Sequence, residues 1–146
     1  MKRRHTFILL LWIGVLLGGA LAACGGGKAV DESPKITPPA GKGALTGQAQ
    51  GASTLWPDET VVVFAAPYYG NDRGDGVYVL EPSLHPSASI DAGGYFAINA
   101  MAPGRYVLII GPSVENARRV MQDEKRARLY TITADQVTDA GVIELK

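Results

Sequence analysis

The groups able to do chemistry in this 146-residue chain are few. Its single cysteine, Cys24, stands in GGALAACGGG, residues 18–27, where the sulfur could act as a nucleophile, fill an apolar gap, bind a metal or carry a covalent attachment. The two histidines are His5, in the N-terminal segment, and His85, in SLHPS. A metal site needs several His, Cys or carboxylate ligands at ligand spacing, and His85 has no such neighbours. Ser83, His85 and Asp91 can be written as a triad, but no nucleophile elbow or oxyanion loop surrounds them. His85 therefore reads as a loop histidine. The expectation is a chain that is no enzyme, with no catalytic residues, no metal and no cofactor.

Two loop motifs and a set of aromatics remain. NDRGDG, residues 71–76, resembles part of a calcium loop, yet Arg73 stands where an acidic ligand belongs and no Glu closes the loop. The RGD triplet inside it, residues 73–75, is three common residues in a Gly-rich stretch. Trp56, Tyr68, Tyr69 and Tyr78 fall in or beside loops, where flat rings can stack on sugars. The competing reading is that they plug the ends of the fold, each keeping a polar edge wet.

The surroundings of Cys24 narrow its role. KRRH, residues 2–5, is followed by TFILLLWIGVLLGGALAA, which carries no charge and has a dense Leu/Ile/Phe/Trp centre. That is the charged start and apolar centre of a secretory signal. Small residues then replace bulky ones just before Cys24, as a peptidase cleft requires. Leu21-Ala22-Ala23-Cys24 looks like the lipobox of bacterial lipoproteins. The resemblance implies cleavage between Ala23 and Cys24 and a diacylglyceryl group on the Cys24 sulfur. Two or more acyl chains hold a protein firmly at a membrane, each buried CH₂ contributing roughly 0.8 kcal/mol. An uncleaved anchor or an ordinary signal are the alternatives, and each leaves the rest of the chain outside the cytoplasm because the Lys/Arg cluster stays inside. The expected place is the cell envelope, membrane-anchored by lipid.

Of the 14 basic residues, Lys2, Arg3 and Arg4 leave with the signal, so 11 face 14 acidic ones. That mild negative balance gives no footing for nucleic acid. No cysteine is left for a disulfide, and the fold must be held by its core. Residues 24–43 comprise Cys24 and GGGKAVDESPKITPPAGKG, which reads as a flexible tether reaching at most roughly 65 Å. Residues 44–146 are then one domain of a size that supports a single core.

Within that domain short apolar runs alternate with Gly, Pro, Asn and Asp. Strands are expected at 44–50, 60–66, 76–80, 87–90, 95–100, 105–110, 128–132 and 141–145, which argues for an all-β, seven- to eight-stranded sandwich. Alternation sets Phe96 and Ile98 on one face of their strand, and Tyr106, Leu108 and Ile110 opposite Val107 and Ile109 on theirs. Asp91-Ala92-Gly93-Gly94 has the residues of a tight hairpin, and Ala102-Pro103-Gly104 those of the next turn.

The order GALTGQAQG, ETVVVFAAP, SIDAGGYFAINAMAPGRYVLII and DAGVIEL resembles the carboxypeptidase regulatory-like domain, which implies a Greek-key, prealbumin-like sandwich over about residues 43–146. Asp91, Gly94, Phe96, Ile98, Met101, Pro103, Gly104, Tyr106 and Leu108 carry the likeness. The first strand departs from it, lacking the usual β-branched pattern. So does the stretch 112–127, in which Arg118, Arg119, Lys125 and Arg126 face Glu115, Asp123 and Glu124. This stretch reads as a solvated loop or short helix, or as a contact for an acidic partner. Such domains usually accompany enzymes without performing catalysis. The resulting expectation is a lipid-anchored, non-enzymatic lipoprotein whose sandwich binds or supports an envelope protein, with a glycan-binding module using Trp56, Tyr68, Tyr69 and Tyr78 as the alternative.

Overall fold

The computed structural model describes residues 34–71, 73 and 75–146. The signal stretch, Ala23, Cys24 and the first part of the tether lie outside the described residues, as do Asp72 and Gly74 of the 71–76 motif.

The regular structure of the described chain is nearly all strand. In order it runs β1 (Gly43–Gln50), α1 (Ala52–Leu55), β2 (Val62–Gly70), β3 (Gly76–Tyr78), β4 (Ser87–Ser89), β5 (Tyr95–Met101), β6 (Gly104–Gly111), β7 (Arg118–Arg119), β8 (Leu129–Ile132) and β9 (Val137–Glu144). The smaller sheet has the order β5-β1-β9, with β1 antiparallel to β5 and parallel to β9. The larger is built on the antiparallel pair of β2 and β6. β3 and β4 share the free edge of β2, and β7 and β8 share that of β6.

The alternation that made these strands legible also builds the core. Leu45, Phe96, Ile98, Ala140 and Ile143 of the smaller sheet join Val63, Ala65, Tyr106, Leu108 and Ile110 of the larger in one buried cluster, which gives the two sheets a sandwich-like packing. Phe96 lies opposite Gly47, where a Cβ would come within 2.8 Å of the ring. The absent side chain is the space the phenyl ring fills.

The larger sheet also buries its other face. Phe64, Ala66, Tyr68, Val107 and Ile109 form a second cluster, flanked by Tyr78, Leu80, Ala117, Ala127 and Leu129. Every residue from Tyr106 to Gly111 is consequently buried. A strand covered on both faces reads as a continuous apolar run.

The 91–94 turn and the start of the last strand differ from expectation, and β2 runs on to Gly70 rather than ending at 66. Asp91 does organise its turn: its Oδ1 accepts from the backbone N–H of Gly93 at 2.9 Å and of Tyr95 at 2.8 Å, and Gly94 takes φ 84°. The turn is no hairpin, however, because β4 pairs with β2 while β5 pairs with β1, so the chain crosses from one sheet to the other. The 102–103 turn crosses back, from β5 to β6. The last strand starts at Val137 rather than 141, because Asp139 and Gly141 sit in a bulge. Thr46 pairs with Asp139 and Gln48 with Val142, and the Asp139 Oδ1 accepts from the Gly141 N–H at 2.8 Å with Gly141 at φ 69°. A bulge of this kind interrupts an edge strand that would otherwise invite pairing.

The stretch 112–127 is a folded flap. It holds β7, an isolated bridge between Met121 and Ala127, and Val120, whose side chain is buried in the main core. Its tip is tied by Asp123, whose carboxylate accepts from Arg126 Nε and Nη2 at 2.8 and 2.6 Å and from the N–H groups of Lys125 and Arg126. The Arg126 hydrogen bond is the main cause that lowers the Asp123 pKa.

Two tyrosines paired across β6 and β8 meet different fates. The Tyr106 hydroxyl donates to the Ala102 carbonyl at 2.8 Å, fastening the strand to the turn before it. The Tyr130 hydroxyl is buried with no hydrogen-bond partner among the described residues. Burial raises its pKa, against the pull of Arg128, whose guanidinium lies 5.1 Å from the ring centroid. Tyr106→Phe is expected to cost about 1 kcal/mol, whereas Tyr130→Phe removes an unpaired buried group and is expected to be neutral or stabilising by up to about 1 kcal/mol. Urea unfolding midpoints check both, and a loss on Tyr130→Phe as large as that on Tyr106→Phe would overturn the contrast.

Candidate functional site

Strand directions place the start of β1, the 71–75 loop between β2 and β3, the 102–103 turn and the 133–136 turn at one end of the sandwich. We call it the near end. The far end carries residues 51–61, 90–94, 112–117 and 145–146.

This division splits the four aromatics. Trp56 is at the far end, 6% exposed within the main core, and its Nε1 donates to the Asn116 Oδ1 at 3.2 Å. It plugs the end of the sandwich, which is the competing reading given above for these aromatics, and not the stacking one. Its burial follows from the single turn of α1, with Ala52 also buried, which folds the chain back over the core.

The three tyrosines do come together, on the paired strands β2 and β3. Tyr68 and Tyr78 are cross-strand partners on the outer face of the larger sheet, and Tyr69 and Val77 are partners on the opposite face. Tyr68 is 8% exposed. Arg105 stands over its ring, 5.3 Å from the centroid, and donates from Nη2 to the Gly70 carbonyl. Tyr78 is met in the same way by Arg119, whose guanidinium lies 5.6 Å from the ring centroid and whose Nη1 donates to the hydroxyl at 2.9 Å. Since β3 and β7 sit on opposite edges of the sheet, this pair spans the two central strands. Ala66 and Val107 beneath are wholly buried. The two arginines thus cover the ring faces that a sugar would need.

Tyr69 alone of the three is open, at 63%. It continues into an apolar strip with Val77 and Val79, and the Val79 N–H donates to the Pro67 carbonyl at 3.4 Å. Val63 and Ala65, on the same face of β2, lie inside the core. The strip is therefore the part of that face that runs out beyond the cover of the smaller sheet. Alternation marks these residues as apolar in the sequence, but only the sheet order reveals that no described residue covers them.

The remaining sequence candidates are structural in their geometry. His85 Nδ1 accepts from the Glu81 N–H at 2.8 Å, within the turn 81–85. Asp91 is taken up by its turn, away from any shared site with His85. Asn71 organises the 71–75 loop, its Oδ1 accepting from the Arg73 and Asp75 N–H groups and its Nδ2 donating to the Asp75 carboxylate. Among the described residues no group of three His, Cys, Asp or Glu side chains is placed to hold a metal.

The sequence does not anticipate how the tether joins the domain. Residues 39–42 form a turn in which the Lys42 N–H donates to the Pro39 carbonyl at 2.9 Å. Gly41 N–H donates to the Asp135 Oδ1 at 2.7 Å, and Asp135 N–H to the Lys42 carbonyl at 2.7 Å. Further out, Asn99 Nδ2 donates to the Thr37 carbonyl at 3.4 Å and Ile36 is half-buried. The stretch expected as free chain up to residue 43 is bound to the domain from about Thr37.

Comparison with protein-family models and with curated proteins finds no match to this chain.

Proposed function

We propose that the chain is an extracytoplasmic lipoprotein held in the cell envelope, with residues 1–23 as its signal and Cys24 as its acylated first residue. In this reading the domain is a non-enzymatic module of Greek-key, prealbumin-like type that binds or supports another envelope component. It acts where it is held, and its chemistry is the attachment itself.

The observation that carries the reading is the join between tether and domain. The chain runs from the turn pinned by Asp135 directly into β1, which is hydrogen-bonded on both sides, by β5 and by β9. A pull on the N-terminus is thus delivered to the central strand of a sheet and shared over two ladders. An edge strand in that place would peel. This is the arrangement a domain needs when its N-terminus is fixed to a surface.

The sugar-binding alternative is disfavoured by burial of Trp56 and by the arginines over Tyr68 and Tyr78, which leave Tyr69 as its single open ring. Mass spectrometry of the protein purified from membranes tests the proposal. The N-terminal peptide is expected to begin at Cys24 and to carry a diacylglyceryl group on sulfur. A peptide beginning at Met1 with a free thiol would overturn it.

A further inference from the structure

We infer that the apolar strip of Tyr69, Val77 and Val79 rests in the headgroup region of the membrane to which the chain is anchored. The inference rests on the lipid anchor proposed at Cys24, and adds a second, non-covalent contact that orients the domain.

Continuity and exposure come first. Tyr69 and Val77 face each other across the β2–β3 ladder, and Val79 follows on the same face, with exposures of 63%, 64% and 55%. Three adjacent apolar side chains on the uncovered extension of a core-facing surface need an explanation that a scattered surface valine does not.

Location comes second. The strip lies at the near end, where the chain also runs into β1. Eleven residues lie between Cys24 and Ile36, which is half-buried beside the bound stretch, and the step from one to the other is at most about 40 Å when taut. As a flexible chain their usual span is about 20 Å. The end that bears the strip is thus kept within a domain's width of the lipid. Contact becomes an intramolecular event at an effective concentration on the order of millimolar, so a weak apolar patch suffices.

Chemistry comes third. Tyrosine favours the membrane interface, where the ring is buried and the hydroxyl stays wet. Lys35, Lys42 and Arg73 are exposed at the same end and suit anionic headgroups. Of the described carboxylates there, Asp135 accepts from the Gly41 N–H and Asp75 from the Asn71 side chain.

Because an acylated Cys24 has no free thiol, Val77→Cys in the full chain creates a single labelling site. Pyrene at that site is read in liposomes containing anionic lipid, some of it carrying nitroxide at the headgroup. Val142→Cys is the control, on β9 and 52% exposed toward the far end. Quenching is expected to be several-fold stronger at position 77 than at 142. It should fall to the level of the control when Tyr69→Ser and Val79→Ser are added, while the emission of Trp56 confirms that the domain is folded. Equal quenching at both positions, or quenching indifferent to the two serines, would overturn the contact and leave the anchor standing. Pyrene excimer emission without quenching would assign the strip to a second copy of the chain and overturn the inference. Absence of lipid on Cys24 by mass would overturn anchor and contact together.

Discussion

Phe96→Ala is expected to cost about 3–5 kcal/mol of stability, the largest loss from any single truncation in the domain. Domains of this size have roughly 5–15 kcal/mol in total, so the variant stands near the edge of folding. The reason is specific to the position. Phe96 is the largest of the fully buried side chains, and its ring occupies the room left by Gly47 across the ladder. The cavity cannot collapse easily, because that wall is backbone. The reciprocal change makes the argument checkable. Gly47→Ala would set its methyl 2.8 Å from Phe96 Cζ and 3.0 Å from the Ala140 Cβ, closer than packed carbons allow. Overpacking of this kind costs about 1–3 kcal/mol. In the double variant the methyl enters the space the ring has left, so the combined loss should fall short of the sum by about 0.5–3 kcal/mol. Urea unfolding of the four proteins measures this coupling, and strict additivity would show that ring and glycine do not share the space.

Cys24→Ser has an all-or-none expectation of a different kind. In the proposed layout Cys24 precedes the domain, so the urea midpoint should be unchanged. Acylation should be abolished, because a serine hydroxyl cannot replace a thiolate as nucleophile at neutral pH. Without the lipid the signal should stay on, and the protein should accumulate as a precursor longer by residues 1–23. Metabolic labelling with a radioactive fatty acid and the size of the product on a gel report both effects. Fatty-acid label retained on the serine variant would refute the assignment of Cys24. The two readouts separate the roles: Cys24 is expected to govern attachment and leave the fold alone, and Phe96 to do the reverse.

Much of the sandwich is legible in the sequence because its signals are local. β1, β4, β5, β6 and β8 lie within a residue or so of where alternation and turn residues put them, and Asp91 and Gly94 form their turn for the reasons their side chains suggest. What a turn connects is a different matter. The same 91–94 geometry serves a hairpin or a crossing between sheets, and only the distant partners β1 and β2 decide which. β7 escapes notice because two arginines have no apolar signal, and they pair with Ile109 and Ile110 through backbone alone. β9 is read short because Asp139 and Gly141 look like a turn, while here they make a bulge.

The site was less legible than the fold for a physical reason. Aromatic residues near turns carry the same sequence signal whether they face water or core. Trp56 is buried because α1 closes the far end, and Tyr68, on the outer face of the larger sheet, because it lies in the second apolar cluster with Arg105 over its ring. Tyr69, next in the chain, lies on the core-facing side and is 63% exposed because no described residue covers it there. That outcome depends on the width of the smaller sheet, a property of three strands far apart in the chain. The attachment proposed at Cys24 is the opposite case, since the likeness of Leu21-Ala22-Ala23-Cys24 to a lipobox is carried by a short linear stretch.

The pairing of β1 with β9 has one more consequence. The first and last strands of the domain lie side by side, with Ala44 against Val137 and Gln50 against Glu144. A sheet that needs its final strand cannot be completed while the C-terminal residues are still missing, and closing so long a loop delays the reward of the contacts it makes. The larger sheet has all its strands by Ile132, whereas the smaller one stays incomplete until the last residues of the domain have been made. In the export proposed above, closure this late would leave the chain threadable through a narrow translocation pore until it has passed to the far side.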